Sequence, residues 1–249
     1  MNSAVAPERA FDKYETKGAY HWRDLEGGPL RMNAYSRARY ALVAEALAPL
    51  AVGATVLDAG CGDGALSGYI HQRLKCRTIG IDTSDLAISL ARTETAKRGY
   101  DCRFERIDSY AYPFEDAAFD AAFCSDVIEH VADPQALLRE ISRVLKPGGR
   151  LVISTPIRLT EHPVDPNHVH EWFPEEFVEL CRPVFGAPVA KILSHPAFWY
   201  EIYALDRRII GNAARFAINL STWLGWNPFL DRTTPWRCMT TQFLVLRKP

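Results

Sequence analysis

Between residues 34 and 156 the spacing of apolar positions switches repeatedly between a helical period and short buried runs of strand type. Residues 34–50 (AYSRARYALVAEALAPL) read as an amphipathic helix, ATVLDAG at 54–60 as a buried strand, and the stretch after Gly64 as a second helix. RTIGID at 77–82 is the next strand, and a helix follows from Thr83 or Ser84 to about Lys97. CRFERID at 102–108 and FDAAFCSD at 119–126 are the third and fourth strands. The helix that starts near Asp133 ends at LKPGG, and RLVISTP at 150–156 is the fifth strand. Strands separated by helices of this length form right-handed βαβ units on a parallel sheet, so the predicted class is α/β.

The tail has a different pattern. Ile202, Leu205, Ile209, Ala213, Phe216, Leu220 and Trp223 recur every three or four residues, which is one face of a helix that Gly211 could bend. The expectation for that face is a core-facing layer; the functional readings are an acceptor-pocket lid or a peripheral contact with a membrane surface. TTQFLVLRKP then alternates like a final strand closing the sheet edge. From Pro196 onward there are seven Lys+Arg against three Asp+Glu, a net +4, and four of the six Trp. The first 195 residues carry −5.

Composition narrows the function classes. With 48% hydrophobic and 24% charged residues the chain is an ordinary globular one, and disorder is excluded. A net charge of −1 and the lack of a basic stripe argue against a nucleic-acid partner. Six scattered cysteines include no CxxC pair, so neither a zinc ribbon nor a redox motif is supported. Reduced thiols, no apolar leader at the N-terminus and no apolar run of membrane-spanning length lead to a cytoplasmic expectation.

The strongest local signal is Val56-Leu57-Asp58-Ala59-Gly60-Cys61-Gly62-Asp63-Gly64. A buried strand runs into three glycines at alternate positions and then into a helix, so a ligand can lie directly against the main chain. Asp58 ends the strand where its carboxylate can face an ammonium group. Asp82, eighteen residues past Gly64, ends the next strand where it can accept both hydroxyls of a ribose. A dinucleotide site would read G-x-G-x-x-G, and Asp58 would repel its pyrophosphate. An adenosine with an amino-acid tail fits these residues better.

VLDAGCGDG, the acidic GID, FDAAFCSDVIEHVADP and LKPGGRLVISTP, in this order, resemble the class I S-adenosylmethionine-dependent methyltransferases over about residues 34–156. The resemblance implies a Rossmann-like seven-stranded sheet, mostly parallel with the last strand antiparallel. It also implies helices on both faces and a helical C-terminal insertion before the last strand. It implies S-adenosylmethionine over the strand C-termini: Asp58, Gly60, Cys61, Gly62 and Gly64 around its methionine, and Asp82 with Thr83 at its ribose. Asp108 with Ser109 would sit at its adenine, and Cys124 and Ser125 beneath the methionine. For Asp108 and Ser125 the alternative is turn formation or helix capping. The chain then reads as one methyltransferase domain. Its parts are a lid segment at 1–33, the cofactor core at 34–156, acceptor-side insertions at 157–240 and a final strand at 241–249.

Methyl transfer from a sulfonium needs the acceptor aligned and, for a hydroxyl, its proton removed. Asp126, Glu129 and His130 follow the fourth strand, at spacings that share one face if the stretch is helical. Glu161-His162-Pro163 and Asp165-Pro166-Asn167-His168-Val169-His170-Glu171-Trp172 follow the fifth. Carboxylates and imidazoles in such numbers could hold a divalent cation (Mg2+), which would orient a diol and lower its pKa. Two families share these pieces. The ubiquinone-biosynthesis O-methyltransferases are similar in their E-x-x-E-H-V-x-D-P-like run, with Asp126 in place of the first Glu. They are also similar in a later His before Phe-Pro, here His168 before Phe173-Pro174, and in a segment like HWRDLEGGPLRMNAYSR at 21–37. The small-RNA 3′-terminal 2′-O-methyltransferases are similar in the carboxylate–carboxylate–His cluster and a His shortly before Glu171-Trp172. Both imply metal-assisted O-methylation through Asp126, Glu129, His130 and His168. His130 as a general base without metal, with Glu129 beside it, is the alternative, since VIEHVADP-like runs are common in class I members that bind no metal.

The expected function is O-methylation of a hydroxylated, fairly apolar or aromatic small molecule. RNA ribose 2′-O-methylation and small-molecule N-methylation stand as alternatives. Trp22, Tyr40 and the tail aromatics are candidates to clamp a planar acceptor, or core residues.

Overall fold

The computed structural model describes residues 13–160, 163 and 165–249. Two short helices, α1 (Lys13–Lys17) and α2 (Tyr20–Glu26), precede α3 (Ala34–Leu47). The Rossmann-like part then runs β1 (Thr55–Ala59), α4 (Ala65–Leu74), β2 (Arg77–Asp82), α5 (Asp85–Lys97), β3 (Cys102–Arg106) and β4 (Phe119–Ser125). It continues through α6 (Pro134–Val144) and β5 (Leu145–Pro156). After these come α7 (Pro174–Phe185), β6 (Ala190–Pro196), α8 (Ala197–Ala204), α9 (Arg208–Trp223) and β7 (Met239–Arg247). Helix starts follow local chemistry: Asn33, Ser84 and Asp133 each accept a backbone N–H from the first turn, at 3.2, 3.2 and 2.9 Å.

The seven strands form one sheet in the order β3-β2-β1-β4-β5-β7-β6. β1 to β5 pair in parallel, and β7 runs antiparallel to both β5 and β6. Strand order reverses between β1 and β4, and the crevice outside their C-terminal ends is where such sheets bind ligands. Because both faces are covered, successive residues of one strand enter different cores. Cys124 and Leu244 pack with Leu138 and Phe177 from α6 and α7; Phe123 and Phe243 pack with Leu47 and Ile70 from α3 and α4.

The first five strands fall where the apolar runs put them, and the last strand is antiparallel as expected. Three expectations for the second half are corrected. The strand at 239–247 lies inside the sheet, because β6 forms the edge beyond it. β6 escaped notice because AKILSHP is short and does not alternate. The single tail helix is two, α8 and α9, broken at Leu205, whose ψ of 119° is extended. Gly211 does not bend α9: its N–H donates to Arg207 O at 2.6 Å.

The third correction concerns the apolar stripe of the tail, which faces outward. Ile209 is 84% exposed and Trp223 60%. The opposite face of α9 is polar and seated on the fold. Asn219 Nδ2 donates to Met32 O at 2.7 Å, and its Oδ1 accepts from Ala34 N at 3.2 Å and from the Tyr203 hydroxyl at 3.0 Å.

Candidate active site

The loop after β1 reverses through left-handed glycines, with φ of 84° at Gly60 and 52° at Gly62. A Cβ at Gly60 would meet Val127, and one at Gly62 the Tyr14 hydroxyl, so conformation and space both require glycine. Gly60 N and Cys61 N donate to Ile81 O at 2.8 and 2.9 Å, which ties the loop to β2. Asp82 then holds it from the side: Gly62 N donates to Oδ2 and Ser84 N to Oδ1, both at 2.9 Å. Each oxygen keeps a lone pair for a further donor.

A cavity of about 270 Å³ opens over this loop, at the reversal of strand order. Asp58, Gly60, Cys61 and Gly62 form its floor, with Ser125 and Asp126 beside them. Asp58 is 2% exposed and accepts the Ser67 hydroxyl at 2.6 Å. Burial pushes its carboxyl up to about 7, although that bond and the nearby Asp82 and Asp63 act as well, the first lowering and the others raising. Such a carboxylate is primed to gain from a ligand cation.

The roof comes from the N-terminal helices: Lys13 and Tyr14 of α1 and Tyr20 and His21 of α2 line the cavity. α2 is clasped to the glycine loop. His21 N donates to Asp63 Oδ2 at 3.0 Å, and Trp22 Nε1 donates to Asp63 O at 2.7 Å. Trp22 is therefore a buried pin between helix and loop. Tyr40 does line the cavity.

The far wall carries the acid–base groups. Ile128–His130 forms one turn of 3-10 helix after β4, directed by Asp126, whose φ is 54°. Glu129 is 0% exposed, and neither carboxylate oxygen has a hydrogen-bond partner among the described residues. Burial raises its carboxyl to about 7. His130 Nδ1 donates to Asn167 O at 2.9 Å, which leaves Nε2 as the basic atom; burial lowers the ring's pKa. His168 arrives from the loop after β5, with its ring 5.0 Å from that of His130. Its Nδ1 is held by Glu171 Oε1 at 2.6 Å. Ligand atoms of Glu129, His130 and His168 lie within 4.8 Å of one another. An orphaned buried carboxylate, two imidazoles and a carboxylate behind one of them are a donor set that fits a divalent cation.

Several predicted residues are elsewhere. Asp126 does not join the donor group: its carboxylate pairs with Arg39 and accepts the Ser154 hydroxyl at 3.1 Å. Cys124 is fully buried in the α6–α7 core, because β4 alternates and its neighbour Ser125 is the residue that faces the cavity. Asp108 is paired with Arg106 and its side chain is 76% exposed; Ser109 and Thr83 are also exposed, and these three, like Asp82, do not line the cavity. Gly64 packs against Ala91 and Phe104 at the start of α4. Glu161 and His162 lie outside the described residues, as do residues 1–12 of the lid segment. Sequence reasoning missed Arg39, a half-buried cation on α3 that lines the cavity. Its signal was a charge set between the buried positions Ala38 and Tyr40.

Residues 57–153, which span the glycine loop, Asp82 and Glu129, match the family described as a methyltransferase domain. This stretch is a methyltransferase domain. A relative named ubiquinone biosynthesis O-methyltransferase, from Xanthomonas axonopodis pv. citri, is 35% identical over 139 residues, 55% of this chain and 56% of the relative. One of the same name from Xanthomonas oryzae pv. oryzae is 34% identical over 163 residues, 62% of this chain and 66% of the relative. The matches thus span between a half and two thirds of these curated relatives. The structure of geranyl diphosphate methyltransferase in complex with S-adenosylmethionine superposes with a TM-score of 0.63, at 19% identity, over 85% of each chain. That likeness is one of fold.

Proposed function

We propose that the protein is an S-adenosylmethionine-dependent O-methyltransferase acting on a hydroxylated small molecule, with residues 13–249 working as one unit. The observation that carries this reading is Glu129: a fully buried carboxylate with no hydrogen-bond partner among the described residues, beside His130 and His168 and across the cavity from the glycine loop. The names of the Xanthomonas relatives support the hydroxyl as acceptor and biosynthetic chemistry as the setting.

S-adenosylmethionine supplies an activated methyl group whose bond to sulfur breaks as the acceptor oxygen attacks, the bonding pair staying on sulfur. Asp58 would face its ammonium, Asp82 would accept from its ribose, and Gly60 and Gly62 would let its methionine lie against the backbone. Glu129, with a pKa near the working pH, takes the acceptor's proton, and His130 Nε2 is the second base. A divalent cation would be held by Glu129, His130 and His168, with Glu171 orienting His168; it would supply a lowered hydroxyl pKa. Tyr20, Tyr40 and the α1–α2 roof exclude water from the reacting atoms.

The test is transfer of labelled methyl from S-adenosylmethionine into a host-cell extract, with magnesium or with EDTA, followed by separation of organic-soluble molecules from RNA. Label in the small molecules is the expected result, and its loss with EDTA supports the cation. Label in RNA overturns the acceptor class.

A further inference from the structure

α9 is held on the fold by its polar side. Arg215 Nε donates to Tyr203 O at 2.8 Å and Nη2 to Leu205 O at 3.3 Å, so its charge is turned inward. Asn219, 4% exposed, makes the three bonds given above. Turning the helix over would strip these groups of their partners. The face left outside runs through Ile209, Ala213, Phe216, Ala217, Leu220 and Leu224, and none of these six is charged. Isolated exposed apolar residues are ordinary, but an ordered stripe along four turns of helix marks a contact surface.

We propose that this face is the interface of a homodimer, in which α9 of one copy packs antiparallel on α9 of a second. Area is the first argument. The exposed parts of Ile209, Ile210, Phe216, Trp223, Leu224 and Trp226 amount to about 800 Å², which is one partner's share of a stable interface of standard size. Self-complementarity is the second, because a two-fold contact sets the same surface against itself. An axis between Phe216 and Ala217 places Phe216 against the second copy's Ala217, Ala213 against its Leu220 and Ile209 against its Leu224. Bulky side chains thus meet small ones near the axis, where crossing helices come closest. At the ends, where they diverge, large meets large. The same register brings Arg207, exposed just ahead of α9, to the second copy's Trp226, a cation against an aromatic ring. Charge is the third argument: the stripe is neutral, so an identical copy meets no like charge there, and an anionic partner finds nothing on it to pair with. The proposal stands on the mounting of α9 and is independent of the methyl-transfer reading.

The test is sedimentation velocity of the whole protein over a dilution series, in reductant so that exposed Cys238 forms no crosslink. A reversible dimer is expected, and the double variant I209Q/F216Q is expected to weaken it at least ~10-fold. S-adenosylmethionine affinity, and urea unfolding at a dilution where the copies are apart, serve as folding controls and should not change. A second measurement fixes the register. In a C238S background under mild oxidation, A217C is expected to crosslink to its own copy across the axis, well ahead of V52C, which lies exposed in the turn before β1. A monomer at every concentration, a dimer that I209Q/F216Q leaves intact, or crosslinking of A217C no faster than that of V52C overturns the proposal. So does a protein that stays monomeric and binds phosphatidylcholine vesicles through the residues I209Q/F216Q removes, which would assign the face to lipid.

Discussion

The half of the molecule up to β5 and the half beyond it are built by different rules. In the first, the site is made by backbone: left-handed Gly60 and Gly62, strand ends, and a carboxylate on the neighbouring strand that receives the loop's own N–H. The second completes it across long separations, bringing His168 beside Glu129 and His130 of the first. Glu129 owes its place to Val169 N and His170 N, which donate to its carbonyl from some forty residues on, at 2.8 and 3.1 Å. The two halves also orient their helices differently. α6 and α9 both carry apolar residues at helical spacing, but Leu138 and Ile141 of α6 are buried whereas Ile209 and Phe216 of α9 are exposed. An apolar stripe says that a helix has two faces. Which face goes in depends on the bonds offered to the other one.

The sharpest break between the halves is expected at Glu129. Glu129→Gln keeps the shape and removes the proton acceptor, so turnover should fall by ~10²–10⁴ while S-adenosylmethionine affinity stays at the wild-type value. Labelled-methyl transfer and calorimetry read the two quantities separately. Wild-type turnover in the variant would end the assignment of acid–base work to this wall. Next in size is the core of the first half. Leu138→Ala opens a cavity under β4 and β5 at a fully buried position and should cost about 2–5 kcal/mol of stability in urea unfolding.

On the cofactor side, Asp82→Ala removes the acceptor of both Gly62 N and the ribose. A weakening of S-adenosylmethionine binding by ~1–3 kcal/mol is expected from the lost bonds, and unchanged affinity would sink the ribose assignment. Asp58 gives a pH signature of smaller span. Its carboxyl is raised to about 7 by burial, and it must be ionised to face an ammonium. Affinity for S-adenosylmethionine should therefore hold above pH 7 and fall by about tenfold per unit below it, with Asp58→Asn flattening the profile. The ligand-free protein should show the opposite trend from this group. The folded carboxyl keeps a proton that the unfolded one releases near pH ~4, so stability declines as pH rises from there to 7.

How much of this was legible follows the same division. The strands from β1 to β5, the glycine loop and Asp82 were readable because each depends on a pattern within a few residues, and a sheet covered on both faces leaves long apolar runs. Glu129, His130 and His168 were readable as types, not as a geometry. Asp126 has the right chemistry and spacing for that group, yet a left-handed φ turns the chain there and Arg39, far back on α3, takes its carboxylate. Cys124 and Ser125 differ by one position, and the period of two in a strand puts one in the core and the other in the cavity. Arg39 itself stood in plain view as a charge among buried neighbours, but its partner lay 87 positions ahead.

The smallest expected effect tests the comparison most directly, because it asks whether equal patterns carry equal weight. Phe216 sits on the apolar stripe of α9 as Leu138 sits on that of α6, and Phe is the larger side chain. If the stripe were core, Phe216→Ala would cost about 3–5 kcal/mol. With the ring 41% exposed and the helix held from its other side by Asn219, the expected change in urea unfolding is within about 0.5 kcal/mol. Asn219→Ala should do the reverse, destabilising by about 1–3 kcal/mol although it removes no apolar surface, because Ala34 N, Met32 O and the Tyr203 hydroxyl lose a buried partner together. A large loss from Phe216→Ala with little from Asn219→Ala would mean that α9 is mounted the other way round, and the contrast between the two halves would go with it.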